Sequence, residues 1–496
     1  MTTTQSRIEP LTEVDQFVNG EHFLLIDGKK AEANSGKRLD VFDPATGRIL
    51  THVPDGDAVD VDRAVQAARR AFEGPWRRLT ASERGRIIWR LADLIEQNLE
   101  EFAQLDAIDN GKPLTIARMV DVPLTVDVFR YMAGYTTKLE GSTYNLNLPG
   151  DWHSFSRKEP IGVIGAIIPW NFPLFMVSVK LAPALAAGNT VVLKPAEQTP
   201  LSALRFGELL EEAGFPPGVV NIVTGSGEIA GAALVAHPDV DKITFTGSTS
   251  VGKQIARAVA TDLKKVSLEM GGKSANLVFA DADLDVAIQG AAQAIFFNHG
   301  QACVAGARLF VESSVFDEVV SGISAIATGM TLGPALDPSS EMGPLVSKEQ
   351  QQRVLGYLEA GSHDGARVAG AGAAPDNGGY YVAPTVLVDV RNEMSVQREE
   401  IFGPVLTAVP FTDVDDAIAQ ANDTSYGLAA GCFTTNLSTA HKVSNALQAG
   451  NIYVNCWGVT DPSAPFGGYK QSGWGREFGR EVLEYYTETK AVHMKL

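Results

Sequence analysis

The sequence predicts an α/β protein built as two α/β domains with a small β arm, and three observations predict it. From Ile161 to about Gly272, apolar runs of strand length alternate with helical stretches, the βαβ rhythm of a parallel, Rossmann-like sheet. From 273 to 460 the rhythm resumes with its own strands, and no linker rich in Pro, Gly or Ser separates the two regions. Around 143–157 and 485–496, helical spacing gives way to apolar–polar alternation, the period of a half-buried strand.

Taken in order, residues 1–60 read as a short arm and then strands. Leu24-Leu25-Ile26-Asp27-Gly28 ends in a turn, and Asp43-Pro44-Ala45-Thr46-Gly47 is a Pro/Gly turn between two short runs, as in a hairpin. From about Asp57 to Leu105 apolar residues recur at helical spacing, and one long amphipathic helix begins at Ser82. Tyr144, Leu146 and Leu148 alternate with polar residues, Pro149-Gly150-Asp151 turns, and Trp152 to Arg157 alternates again. This is a hairpin with one apolar face, and because an isolated hairpin is unstable it packs on its own domain or on another subunit. The first α/β region has strands at Ile161 to Pro169, Thr190 to Lys194, Val219 to Val223 and Lys242 to Gly247. Its helices run from Phe172 to Ala187, stopped by Gly188-Asn189, and from Pro200 to Ala213, closed by Gly214. The second region has strands at Asn276–Phe279, Ala383–Val388, Val405–Pro410 and Asn451–Asn455. Tyr485 to Leu496 alternates like a strand able to join the hairpin.

Composition narrows the function. The 496 residues suggest more than one domain and a sizeable core. A formal net charge of -18 argues against nucleic-acid and anionic-membrane partners, which need a basic surface. No apolar stretch is long enough to span a bilayer, and Met1-Thr2-Thr3-Thr4-Gln5-Ser6-Arg7 leads into no signal-peptide core. Cys303, Cys432 and Cys456 stand far apart without a C-x-x-C pair, so neither a disulfide framework nor a zinc site is expected, no metal is assigned, and a reducing cytoplasm fits.

Four stretches carry chemistry. Phe296-Phe297-Asn298-His299-Gly300-Gln301-Ala302-Cys303 puts a cysteine just past a Gly turn and an apolar run. Such a thiol is a nucleophile if something removes its proton, or else a small buried hydrophobe. Pro169-Trp170-Asn171-Phe172-Pro173 offers an amide side chain at a strand end; Leu268-Glu269-Met270-Gly271-Gly272-Lys273 offers a carboxylate beside glycines; Glu400-Ile401-Phe402-Gly403-Pro404 offers an acid and an aromatic. His299 lies four residues before Cys303, but sequence proximity is a poor guide to a nucleophile's base, and no role is assigned to it. The G-x-G-x-x-G fingerprint is absent, since Gly225-Ser226-Gly227-Glu228-Ile229-Ala230-Gly231 has one residue too many. Thr246-Gly247-Ser248 lies between a strand and a helix, where N–H groups can face a pyrophosphate or simply be capped by Ser248. Glu197, in Lys194-Pro195-Ala196-Glu197, follows a buried strand and can accept from both ribose hydroxyls or form a surface ion pair.

The four stretches, in this order and over nearly the whole chain, resemble the NAD(P)-dependent aldehyde dehydrogenase superfamily, in its acid-forming branch. Within it, Lys470-Gln471-Ser472-Gly473-Trp474-Gly475-Arg476-Glu477 looks most like phenylacetaldehyde dehydrogenase-like members. The resemblance implies an NAD-binding domain over 1–140 and 159–271, a catalytic domain over 272–470, and an oligomerisation arm over 141–158 and 484–496 in a homotetramer or homodimer. It implies a Cys303 nucleophile, an oxyanion hole from Asn171 and the Cys303 N–H, and Glu269 as the base that hydrolyses a thioester. Lys180 and Glu477 match positions linked to proton relay or carbonyl positioning. Ile168, Pro169, Trp170, Lys194, Glu197, Gly227, Gly247, Ser248, Gln350, Glu400 and Phe402 would hold the cofactor, with NAD over NADP because the Glu197 carboxylate would repel a 2′-phosphate.

The expected substrate pocket is Phe172, Met176, Val179, Phe297, Trp457, Thr460, Asp461 and Phe466, mostly apolar. Relatives specialised for short aldehydes often carry large aromatics where Val179 and Thr460 stand, which points to an aryl or medium- to long-chain aldehyde. Phenylacetaldehyde-like substrates come first and medium-chain or terpenoid aldehydes second. A cysteine hydrolase or acyl transferase leaves Lys194, Glu197, Glu400 and Phe402 unexplained. A non-catalytic relative should have lost Cys303 or Glu269, and this chain has lost neither.

Overall fold

The computed structural model describes residues 9–496. An eight-stranded sheet runs in the order Gly473–Trp474, Lys265–Glu269, Lys242–Thr246, Val163–Ile167, Thr190–Lys194, Val220–Ile222, Leu24–Ile26, Lys29–Ala31. Its five inner strands from Lys265–Glu269 to Val220–Ile222 are parallel, and the flanking strands pair antiparallel. Val163–Ile167 and Thr190–Lys194 are buried at every position, which is why both read as continuous apolar runs. The crossover helices Pro173–Ala187 and Leu201–Ala213 end at Gly188 and Gly214, whose φ of 96° and 95° are left-handed conformations that cost glycine nothing. Parallel order brings the C-terminal ends of four strands, and with them 168–171, 194–197, 246–248 and Glu269, to one rim.

Residues 270–274 carry the chain into a seven-stranded sheet: Arg367–Ala371, Thr385–Val388, Val405–Phe411, Arg308–Glu312, Ala275–Val278, Ala429–Phe433, Asn451–Val454. All its pairings are parallel except that of the outer Arg367–Ala371 strand. Arg308–Glu312 and Ala429–Phe433, which are not among the expected strands, both sit inside this sheet.

The third sheet corrects the expected hairpin. Its first strand is only Thr143–Tyr144, because Asn145, Asn147, Pro149 and Gly150 are poor strand residues. Trp152–Pro160 finds its long partner in Thr487–Lys495, in register from Thr487↔Pro160 to Lys495↔Trp152. The helical stretch after Asp57 is four helices, Ala58–Glu73, Pro75–Arg78, Ala81–Gln97 and Leu99–Asn110, broken at Gly74, at Leu79 and Thr80, and at Asn98. The long helix starts one residue before Ser82, under a Thr80–Glu83 capping box. A single π-turn, Ala117–Asp121, leads into Val122–Ala133, which packs on Pro173–Ala187.

Candidate active site

A cavity of about 500 Å³ lies between the two large sheets. Helix Pro173–Ala187 and its N-cap supply Phe172, Phe175, Met176 and Val179; the loops before Cys303 and before Phe466 supply Phe297, Trp457 and Thr460. Phe466, Glu477 and Phe478 close a further side, and Cys303, Glu269 and Thr246 lie on the same wall system. Asp461 is the exception among the expected pocket residues. It is exposed and turned back to accept from the Ser463 N–H at 2.8 Å and the Ser463 Oγ at 2.5 Å, an Asx-type turn that removes it from the cavity.

The turn before Cys303 is held from several directions. Asn298 and His299 have φ of 48° and 60°, left-handed values that sharpen the turn. Asn298 Nδ2 donates to the Asn171 carbonyl at 3.0 Å and to the Gln301 carbonyl at 3.1 Å, while Asn171 Nδ2 donates to the same Gln301 carbonyl at 3.0 Å. One N–H of the Asn171 amide is thereby fixed and its second N–H stays free, beside the loop that carries the thiol. His299 is buried and its Nδ1 meets Gln301 Nε2 at 3.3 Å; it does not line the cavity.

Electrostatics in the cavity favour protonated acids. Burial, then the charges of Glu400 and Glu269, push the half-buried Cys303 thiol up to about 12. Burial, then the Glu477 charge, holds the Glu269 carboxyl well above the usual carboxylate range, and neither of its oxygens has a hydrogen-bond partner. Glu269 therefore holds a proton strongly, and its ionised form is the one able to take another from a thiol or a water. Glu477 and Lys180 are a buried ion pair at 2.5 Å, with Glu477 Oε2 left without a partner. Lys180 lies behind the wall and reaches the cavity only through Glu477.

The rim carries the candidate cofactor residues. Lys194 Nζ donates to Glu197 Oε2 at 2.8 Å; burial, the largest influence, opposes ionisation of Glu197, but the Lys194 charge and hydrogen bond, with backbone N–H groups, together keep the carboxyl below its ordinary value. Ser248, exposed, caps helix Thr249–Ala260 by accepting from the Val251 N–H, and Ser226 caps the turn that begins at Gly227. Gly247 joins the rim to the Glu269 strand through its N–H to the Glu269 carbonyl. Ile168 is buried, with Pro169 and Trp170 half-buried beside it. Glu400 Oε1 accepts from the Gly272 N–H at 2.9 Å, and burial pushes its carboxyl up to about 7. Phe402 stands edge-on to Trp170 with ring centroids 5.2 Å apart. Gln350 Nε2 donates to the Ile401 and Phe402 carbonyls at 3.2 and 2.8 Å, so that its amide nitrogen holds the Phe402 turn. Carboxylates at two stations, a capped helix N-terminus between strand ends and an aromatic pair fit a dinucleotide's two riboses, pyrophosphate and flat ring. Among the described residues no cluster of three His, Cys, Asp or Glu is arranged to hold a metal, and no helix is long and apolar enough to cross a membrane.

Residues 31–492 match the model of the aldehyde dehydrogenase family. The chain belongs to the aldehyde dehydrogenase family. It is 49% identical to a putative aldehyde dehydrogenase, DhaS, of Bacillus subtilis (strain 168), over 97% of each chain. It is 47% identical to the human mitochondrial aldehyde dehydrogenase, over 99% of this chain and 95% of that one. Among solved structures, an aldehyde dehydrogenase from Bacillus cereus in complex with NAD+ is 49% identical with a TM-score of 0.97, covering 99% of this chain and 100% of its own. The AldA indole-3-acetaldehyde dehydrogenase of P. syringae, solved as a mutant with NAD+ and IAA, is 43% identical with a TM-score of 0.94 over 98% of each chain.

In this aldehyde dehydrogenase, one cavity wall had no signal in the sequence. Met119, Val120, Asp121 and Leu124 face the cavity from the π-turn and the helix after it, and Phe175 and Phe478 add two more aromatics. Helical spacing alone could have marked Phe175 as facing with Phe172 and Val179. Nothing in the spacing of 117–124 points to a site on another segment.

Proposed function

We propose that this aldehyde dehydrogenase oxidises an uncharged aryl or medium- to long-chain aldehyde to its carboxylic acid, using NAD rather than NADP. The observation that carries the reading is a thiol and an unpartnered buried carboxyl, Cys303 and Glu269, on one apolar cavity beside a rim built for a dinucleotide. Glu269 takes the thiol proton, and the Cys303 sulfur attacks the carbonyl carbon. The oxygen becomes an oxyanion facing the second Asn171 N–H and the Cys303 backbone N–H; one such donor lowers a barrier by about 3 kcal/mol. Bound NAD supplies the acceptor for the hydride that leaves as the carbonyl re-forms, and Cys303 is left as a thioester. Glu269 then takes a proton from water as its oxygen attacks the acyl carbon; the C–S bond breaks and the acid departs. Glu477, with Lys180 behind it, receives the proton that Glu269 must shed.

Two features support the substrate class. Phe172, Phe175, Phe297, Trp457, Phe466 and Phe478 give the cavity aromatic walls, while Val179 and Thr460 leave its length open. No Lys, Arg or His is among the residues lining it, so an aldehyde bearing a carboxylate would bury that charge without a partner. The likeness to an indole-3-acetaldehyde dehydrogenase supports an arylacetaldehyde, and the NAD+ complexes among similar structures, with Glu197 at the ribose station, support NAD. The same reading divides the chain into an NAD-binding domain (1–140 and 159–271), a catalytic domain (272–470) and an arm (141–158 and 484–496). Tyr144, Leu148, Met494 and Leu496 are exposed on that arm, which supports a homo-oligomer, a tetramer or dimer, of a cytoplasmic enzyme.

The test is NADH formation with phenylacetaldehyde, hexanal, acetaldehyde and an ω-carboxy aldehyde, each with NAD and NADP, on the wild type and on Glu269→Gln. The expected result is turnover of the first two with NAD, and in the variant a slowed first turnover followed by a stalled acyl-enzyme. Unimpaired hydrolysis by Glu269→Gln would remove the base assignment, and acetaldehyde as best substrate would remove the substrate class.

A further inference from the structure

We propose that the buried Lys112–Asp121 ion pair is a positioning device that fixes the oxyanion donor Asn171 and ties it to the wall of the substrate cavity. The inference rests on the role given to Asn171 above. Lys112 is fully buried and Asp121 nearly so, with Nζ and Oδ2 2.5 Å apart. Nζ also donates to the Asn171 carbonyl at 2.9 Å, and it lies 4.3 Å from the centroid of the Phe172 ring. An ammonium group has three N–H donors. Here one meets a carboxylate, one meets the Asn171 carbonyl, and the remaining face of the cation lies against the Phe172 ring.

The grip falls on the residue where placement matters most. The Asn171 carbonyl accepts from both Lys112 and Asn298 Nδ2, and its side chain is aimed by the Gln301 carbonyl. Main chain and amide are thus held separately, which leaves the free amide N–H one direction to point. At the other end, Asp121 closes the π-turn Ala117–Asp121 and lines the cavity, and its own carbonyl accepts from Thr125 Oγ1 at 2.7 Å. π-turns interrupt helices mostly where a side chain must be re-aimed for function. The pair therefore bridges the wall that contacts the distal part of a substrate and the donor that meets its carbonyl oxygen.

Stability does not account for the pair. Desolvating both charges costs about what their attraction returns, and an apolar pair of the same volume is often as stable. Placement does account for it, because a donor displaced by about 1 Å can cost a hundredfold in rate. Lys112 is a positioning residue: it touches neither the thiol nor the carbonyl oxygen.

A double-mutant cycle tests the proposal, with Lys112→Met, Asn171→Ala and the double variant of the full-length enzyme, read by the single-turnover rate of NADH formation and by NAD affinity. Lys112→Met should slow NADH formation by roughly 10- to 100-fold while KM and NAD affinity move by less than about 3-fold. On the Asn171→Ala background the same substitution should cost less than about 3-fold, because the donor it positions is gone. An equal fold-loss on both backgrounds overturns the proposal and leaves Lys112 a structural residue. If Lys112→Met does not fold, Asp121→Asn, which keeps the Lys112 bond to Asn171, takes its place. Its expected loss is roughly 3- to 10-fold, again vanishing on the Asn171→Ala background, and a multiplicative loss overturns the proposal. Wild-type rates from Asn171→Ala alone would overturn the oxyanion reading itself, a failure separable from that of Lys112.

Discussion

Two buried lysine–carboxylate pairs reach the cavity, through Asp121 and through Glu477, and they differ in what the lysine does. Lys112–Asp121 and Lys180–Glu477 have the same 2.5 Å separation, and in both the second carboxylate oxygen has no partner. Lys112, however, also holds the Asn171 main chain and faces the Phe172 ring, whereas Lys180 makes a single bond, to Glu477. One lysine is committed to geometry. The other is committed only to the charge of a carboxylate that lies beside Glu269 and shifts its proton affinity. Two ion pairs of the same length thus differ in the remaining bonds of the cation.

The largest effect that would break this contrast is on stability. Lys112→Met strands Asp121 in the interior and should cost about 3 kcal/mol or more in urea unfolding. Lys180→Met should cost less, since Lys180 holds Glu477 alone, whereas Lys112 also holds the Asn171 carbonyl; equal losses would erase the distinction. Next comes Glu477→Gln, which should slow thioester hydrolysis by roughly a hundredfold while leaving NADH formation in a single turnover nearly intact. The Glu269 carboxyl is raised first by burial and then by the Glu477 charge, so removing that charge lets Glu269 ionise at lower pH. The acid limb of the hydrolysis profile should move down in pH; an unmoved limb would detach Glu477 from the base.

A smaller effect concerns His299. Burial, then the Lys112 ammonium, force this imidazole down to about 3 from an ordinary value of 6.5. Between those values the unfolded chain binds a proton that the folded one refuses, so stability present above pH 6.5 is lost as the pH falls toward 3. His299→Gln should flatten that slope in acid denaturation, and Lys112→Met should flatten it in part. The smallest effect is Asp461→Asn, expected to change kcat/KM by less than about 2-fold with any aldehyde, since its side chain caps Ser463 in solvent.

Most of the first sheet was legible because its strands are buried on both faces and its helices end at glycine. Thr190–Lys194 was readable residue for residue, as were the Gly188 and Gly214 stops. The strand Ala429–Phe433, written Ala-Ala-Gly-Cys-Phe, was not, because small residues carry little strand preference and it is the parallel neighbours that fix it. At the site, the motifs singled out Cys303, Glu269 and Asn171 as candidates; the first two line one cavity, and the Asn171 amide bonds the loop that carries Cys303. The Lys112–Asp121 pair was not legible, since a spacing of nine residues marks no helix face and the partner that gives it meaning, Asn171, is 59 residues away. Asp461 misled because a local turn won over the cavity.

The strand that ends in Glu269 is bordered by Gly473–Trp474, and Ser472 Oγ donates to the Gly271 carbonyl across 201 residues of sequence. Farther on, His493 meets Ser154 across 339. A ribosome delivers these borders late. From the emergence of Glu269 to that of Gly473 the nascent first sheet carries an uncovered edge, and Glu269 lacks its Glu477 neighbour; this is exposed strand surface of the kind that chaperones engage. Catalytic competence is thus acquired near the close of translation, and a chain released before Gly473 should be captured by chaperones and inert toward aldehyde rather than partly active.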